Sequence, residues 1–226
     1  MKTDAEFIKE NRIFSGLFDQ DIETVLSLMT RMSVKHKDVI FKPGDPADNI
    51  YWIISGRVKI IKLTEDGREI ILGLNKAGDI FGEMAFVEER SRDSFAEAQD
   101  DTVLLALKRN HLFGLAKRKP GVIYRLAKLI GERRRDAEAI TEGLIYKGVR
   151  ERLASVLLKL SKEYGIADAR GKMLRIKITH QDLASLIGSS RETVSLTLGD
   201  LKRDGVIDVN DRKIIIRDEE QLAMMS

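Results

Sequence analysis

Between Val34 and Lys108 the chain alternates short apolar runs with glycine-bearing turns. The runs are IYWII (50–54), VKIIKL (58–63), EIILGL (69–74) and VLLAL (103–107), each of strand length and mostly rich in β-branched or aromatic residues. KPGDPADN, SGR, EDG, KAGD and FGE separate or follow them, and Asp66-Gly67 between two runs is a hairpin signal. Evenly spaced short strands with turn glycines predict an antiparallel roll or sandwich. Pro43, Pro46 and Pro120 all lie outside the strand interiors.

Beyond Pro120 the period changes to that of a helix. Ile123, Leu126, Ile130, Arg133, Ala137, Ile140 and Leu144 recur at alternating spacings of three and four. This is the seam of about three coiled-coil heptads, flanked by the charges of Arg125, Lys128, Glu132, Arg134 and Arg135. One helix packed on its own domain would show a similar stripe. The length of the run and its charged flanks favour a homodimer, with Arg133 as a departure that either weakens the pairing or faces something bound.

From Val149 the pattern predicts short helices and a terminal hairpin. Leu153, Val156, Leu157 and Leu160 mark an amphipathic helix that runs out at Tyr164-Gly165, followed by a polar linker ADARGK and an apolar stretch MLRIKI. Thr179 is a good N-cap for a helix burying Leu183, Leu186 and Ile187, and Gly188 breaks it. A second helix, over 189–203 and beginning at Ser189 or Ser190, buries Val194, Leu198 and Leu201, and VIDV–NDR–KIIIR forms a hairpin after it. Two short helices around a glycine turn match the DNA-binding helix-turn-helix, with the hairpin as a wing. Arg191, Glu192, Ser195 and Gly199 share the second helix's outer face. Arginine pairs with guanine O6 and N7, and glutamate accepts from a cytosine amino group. Ser189-x-x-Glu192 also reads as a capping box, which needs no DNA. Lys202 and Arg203 read as a solvated face.

Composition narrows the chemistry. The chain has 226 residues, 43% hydrophobic and 33% charged, with net charge +3 and no cysteine. Disulfides, thiolate zinc sites and cysteine nucleophiles are excluded. His36, His111 and His180 are far apart in sequence and form no metal-ligand spacing, so neither a metal site nor an enzyme is expected. No apolar run approaches the roughly 18 residues of a membrane span, and charges stand where a signal peptide would need an apolar stretch. Cytoplasmic location without membrane contact is the expectation.

The order of glycine-rich roll, long helix and winged helix-turn-helix, with IGSSRETV at 187–194, FGEMA at 81–85 and KPGDPAD at 42–48, resembles the cyclic-AMP receptor protein/fumarate-nitrate regulator (CRP/FNR) superfamily of bacterial transcription regulators. The resemblance covers nearly the whole chain. It implies an α+β protein with three parts. An N-terminal antiparallel β-roll of the cyclic-nucleotide-binding, double-stranded β-helix kind carries N-terminal helices over 1–118. A dimerisation helix spans 119–147, and a winged helix-turn-helix domain spans 148–226. It further implies a homodimer on a palindromic double-stranded DNA site, with RNA polymerase as a further partner. Arg191, Glu192, Ser195 and Leu196 would face bases, and Thr179, Gln181, Ser190 and Thr193 would contact phosphates. Leu196 stands where one branch of the family has a base-reading arginine, so the preference at that base pair is expected to differ.

In the family's cyclic-AMP-binding members Gly-Glu holds the ribose region and Arg-Ser the cyclic phosphate. Gly82, Glu83 and Arg92 match, with Met84 beside them, but Asp93 replaces the serine. Like charges about 4 Å apart repel by about 4 kcal/mol at an effective dielectric of about 20. Strand alternation offers an escape if Arg92 and Asp93 point to opposite faces. Ala137-Glu138 stands where those members have Thr-Ser, so Ala137 offers no hydroxyl to an adenine. The expectation is a small effector other than cyclic AMP, held by Gly82, Glu83, Met84, Arg92, Asp93, Arg133 and Ala137 between roll and central helix. The rival expectations are a cyclic-AMP-responsive regulator and a ligand-sensing module that binds no DNA.

Overall fold

The computed structural model describes residues 3–87, 91–210 and 213–226. By contact density the chain divides into two units, Met1–Arg135 and Asp136–Ser226.

In the first unit, helices α1 (Asp4–Glu10) and α2 (Asp19–Ser27) precede strands β1 (Met29–Val34), β2 (Val39–Phe41), β3 (Asn49–Ser55), β4 (Arg57–Leu63), β5 (Glu69–Lys76) and β6 (Ile80–Phe81). A short helix α3 (Met84–Val87) leads to β7 (Phe95–Ala98), β8 (Thr102–Lys108), α4 (Arg109–Arg118) and the long helix α5 (Gly121–Tyr146), whose first part belongs to this unit. The strands form two antiparallel sheets, ordered β1-β8-β3-β6 and β2-β7-β4-β5. The β4–β5 hairpin closes where Asp66-Gly67 predicts it, with Leu63 paired to Glu69 and Gly67 at φ +79°.

The unbroken apolar run of β3 follows from burial on both faces. Alternation sends Tyr51 and Ile53 into the roll, where they meet Phe41, Val58, Phe81, Leu104 and Ala106. Ile50 and Trp52 point the other way, into a second core with Ile13, Phe14, Leu112 and Leu115. Phe14 stacks on Trp52 at 5.2 Å between ring centroids.

That second core also takes Val122, Leu126 and Leu129 from α5. This corrects the seam expected from the sequence. Leu126 is 1% exposed inside its own roll unit and is not available to another chain. Ile130 also packs partly against this core, whereas Ile123, Ala137, Ile140 and Leu144 are exposed. The three-four spacing recorded an inward face at some positions and an outward face at others.

The second unit contains α6 (Val149–Tyr164), β9 (Gly165–Asp168), β10 (Gly171–Leu174), α7 (His180–Ile187), α8 (Arg191–Arg203), β11 (Ile207–Asn210), β12 (Lys213–Ile216) and α9 (Glu219–Met224). The segment read as a polar linker is part of a hairpin. β9 pairs with β10, with Gly171 at φ +140°, and β12 joins them to β11 in a four-stranded antiparallel wing. The strand signal in β9 is only Ile166-Ala167, too short for a period to show. Of the terminal NDR turn, Asp211 and Arg212 lie outside the described residues.

Candidate nucleic-acid interface and effector pocket

Strand β6 is followed by Gly82, whose φ of +74° lies in the left-handed region. A Cβ there would stand 3.1 Å from Arg92 Nη1 and 3.3 Å from Asn49 O, so glycine answers both to conformation and to space. Arg92 is 7% exposed. Its Nη1 donates to Gly82 O at 3.0 Å, its Nη2 donates to Asn49 O, and its guanidinium lies 4.3 Å over the Phe41 ring. Burial holds the guanidinium below its usual range, with Tyr51, Glu83 and Asp48 acting in the opposite direction.

Glu83, 5% exposed, is the acid of the same cradle. Its carboxylate meets Arg133 Nη1 at 2.5 Å, while Arg133 Nη2 donates to Asn75 Oδ1 at 3.0 Å and to Ile80 O. Arg133, the departure in the expected seam, is therefore a roll contact from the first part of α5. Met84 opens α3 and is partly exposed.

Asp93 departs from the expectation that it lines this cradle. Arg92 is buried, Asp93 is exposed and Ser94 is buried, so the chain alternates and carries Asp93 to the outer surface. There its carboxylate lies 3.1 Å from Lys62 Nζ on β4, and that hydrogen bond holds its pKa below the usual carboxylate range. The repulsion expected of a misplaced carboxylate is absent from this conformation. Ala137 lies exposed on the part of α5 that belongs to the second unit.

In the second unit, Thr179 caps α7. Asp182 N donates to Thr179 Oγ1 at 3.0 Å, and Thr179 N donates to Asp182 Oδ2 at 2.9 Å. Gly188 ends the helix at φ +60°, and Ser189 N donates back to Ala184 O at 3.0 Å. The second cap falls on Ser190, not Ser189: Thr193 N donates to Ser190 Oγ at 3.1 Å. Of the two starts open in the sequence the helix takes Ser190, with a single side-chain cap in place of the capping box read at Ser189 and Glu192.

Val194, Thr197, Leu198 and Leu201 form the buried face of α8. Arg191, Glu192 and Leu196 are exposed, Leu196 at 71%. Thr179, Gln181 and Ser190 are exposed around the turn, and Thr193 is half-buried. Lys202 is paired with Asp208 at 3.2 Å, and Arg203 with Asp200, which ties both into the surface of the fold. One neighbour went unread in the sequence. His180 Nδ1 lies 2.7 Å from Ser195 Oγ, joining the first turn of α7 to the outer face of α8. Its place between Thr179 and Gln181 was the only signal available.

The cyclic nucleotide-binding domain family matches residues 31–119, and the Crp-like helix-turn-helix domain family matches residues 151–225. The chain is 34% identical to the cyclic AMP receptor protein of Thermus thermophilus over 211 residues, covering 93% of this chain and 94% of that protein. It is 31% identical to the global nitrogen regulator of a Nostoc species, over 92% of this chain and 94% of that protein. A solved CRP/FNR-family transcriptional regulator, also from Thermus thermophilus, superposes with a TM-score of 0.73 at 32% identity, covering 87% of this chain and 97% of that one. With a roll, a helix-turn-helix and full-length relatives in agreement, the chain belongs to the CRP/FNR superfamily of DNA-binding transcription regulators.

Proposed function

We propose that this protein is a homodimeric regulator that binds a two-fold symmetric promoter site and responds to a small anionic effector held in the roll. The observation that carries the DNA reading is the outer face of α8, where Arg191 and Glu192 stand exposed and free of the cap assigned to Ser190. Arg191 and Glu192 read bases in the major groove. Leu196 offers a methyl-sized contact to thymine in place of a hydrogen bond. Thr179, Gln181, Ser190 and Thr193 set the register on phosphates. The exposed residues Ile123, Ala137, Ile140 and Leu144 meet a second copy, which places two recognition helices on one duplex. The protein works in the cytoplasm beside RNA polymerase and catalyses no reaction.

The effector site is centred on Arg92, Gly82, Glu83 and Arg133, with Arg92 supplying the charge for an anion. Cyclic AMP is a second reading, favoured by the outward turn of Asp93. Against it stand Ala137 and Glu138, which lack the hydroxyls that cyclic-AMP-binding members carry at these positions. The DNA reading is tested by selecting duplexes from a random pool with the purified protein. Enrichment of an inverted repeat supports the reading, and an unenriched pool contradicts it.

A further inference from the structure

Strand β5 carries a glycine that its own backbone does not require. Gly73 lies mid-strand, paired with Ile60, and has no positive φ, so any residue fits its conformation. A Cβ there would meet one described neighbour beyond Leu72 and Leu74: Asn75 Nδ2 at 3.8 Å, an ordinary contact. Glycine inside a strand costs stability relative to alanine, and marks places where a ligand or another stretch of backbone comes close. No described backbone takes that place at Gly73.

Asn75, two residues on, shares the face of Gly73. It pairs with Val58, which is wholly buried in the roll core, and Asn75 itself is 7% exposed. Its Oδ1 accepts from Arg133 Nη2 at 3.0 Å. Arginine has only donors, so this bond fixes which way the amide is turned and leaves Nδ2 as a donor on the Gly73 side. No described residue accepts from Nδ2. Through Arg133 the amide is linked to Glu83, and so to the cradle of Gly82 and Arg92.

We infer that Gly73 and Asn75 form the wall that selects the effector, and that the effector is a nucleotide whose base turns a ring carbonyl to Asn75 Nδ2. The inference rests on the effector reading of the roll. Arg92 supplies the charge for a phosphate, and the missing side chain at Gly73 leaves space for a flat ring. Residues 31–119 match the cyclic nucleotide-binding domain family, which makes a nucleobase that ring. A carbonyl oxygen accepts from Nδ2. An amino group at the same ring position sets donor against donor and leaves the buried amide unpaired. The wall therefore takes an oxopurine, such as guanine or hypoxanthine, and rejects adenine.

The test is isothermal titration of the full-length protein with cyclic IMP and with cyclic AMP, which carry a carbonyl and an amino group at the same purine carbon. Cyclic IMP should bind at least about tenfold more tightly. Asn75→Asp keeps an acceptor for Arg133 but exchanges the donor for a second acceptor, and should reverse the order. Gly73→Ala should weaken cyclic IMP by about tenfold while the melting temperature holds or rises. Equal affinities, a preference for cyclic AMP, or an order unchanged in Asn75→Asp would overturn the inference and leave the anion site standing. A melting temperature lowered by Gly73→Ala would overturn it too, because the fold itself would then need the glycine. Binding of neither nucleotide also refutes it. Binding that survives Arg92→Ala would instead overturn the effector reading beneath it.

Discussion

Arg133 of the long helix and Glu83 of the roll meet at 2.5 Å, and the carboxylate partner is almost wholly buried, with 6% of its side chain exposed. The pair fastens the helix to the sheet edge at β6, beside Gly82 and Arg92. Removing only the arginine leaves a buried carboxylate without its ion-pair partner. Arg133→Leu should destabilise the roll unit by about 2–3 kcal/mol, below the usual cost of breaking a buried pair because Arg133 is itself partly solvated. The melting temperature should fall by about 5–10 °C. Adding Glu83→Gln to Arg133→Leu should recover part of the loss, and calorimetry on both variants checks this.

Gly82 is the backbone counterpart of that pair. Its left-handed φ strains any other residue, and a Cβ 3.1 Å from Arg92 Nη1 would press that guanidinium aside. Gly82→Ala should cost about 1–2 kcal/mol. Hydrogen exchange should show the loss concentrated around residues 49–51 and 80–83, where Arg92 makes its carbonyl bonds. Uniform protection across the roll would argue against the assignment.

Acid should weaken the second unit through Glu219. Hydrogen bonds from Ser161 Oγ at 2.7 Å and Lys172 Nζ at 3.2 Å hold its carboxyl below the usual range. A folded-state pKa below the unfolded one contributes stability that is complete above the unfolded value, about 4.3, and lost as pH falls through the folded value. Urea midpoints should therefore drop between about pH 5 and about pH 3. Glu219→Gln should drop less over that window, although its stability near neutrality is lower.

Isothermal titration with cyclic AMP should give no saturable heat at low micromolar concentrations. Arg92 already donates to Gly82 O and Asn49 O, and a phosphate must compete with both carbonyls. Ala137 and Glu138 bring no compensating hydroxyl. A low-micromolar dissociation constant would show that the roll accepts the nucleotide regardless.

Local grammar made much of the fold readable. Asp66-Gly67 announced a hairpin, Thr179 a cap and Gly188 a break, because each acts through its own backbone. The resemblance grouped Gly82, Glu83 and Arg92, and the fold brings these three residues together. The direction of Asp93 was not, because a one-residue change of strand phase reverses the face, and only the packed roll fixes the phase. Leu126 misled for a related reason. Helical spacing reports that a face is covered but not whether the cover is the same chain or another. The Ser189–Ser190 cap shifted by one residue because either hydroxyl can close the helix, and the geometry of the turn decides. His180 and Ser195, fifteen positions apart, became neighbours only through the crossing of α7 and α8.

The central claim is that α8 reads sequence through Arg191. The direct measurement is the affinity of wild-type protein and Arg191→Ala for a selected duplex and for the same duplex with its symmetric guanines replaced. Wild type should lose about 1–3 kcal/mol per replaced contact, and Arg191→Ala should bind both duplexes alike while remaining a dimer in sedimentation. If Arg191→Ala keeps the wild-type preference, α8 is not the reading helix.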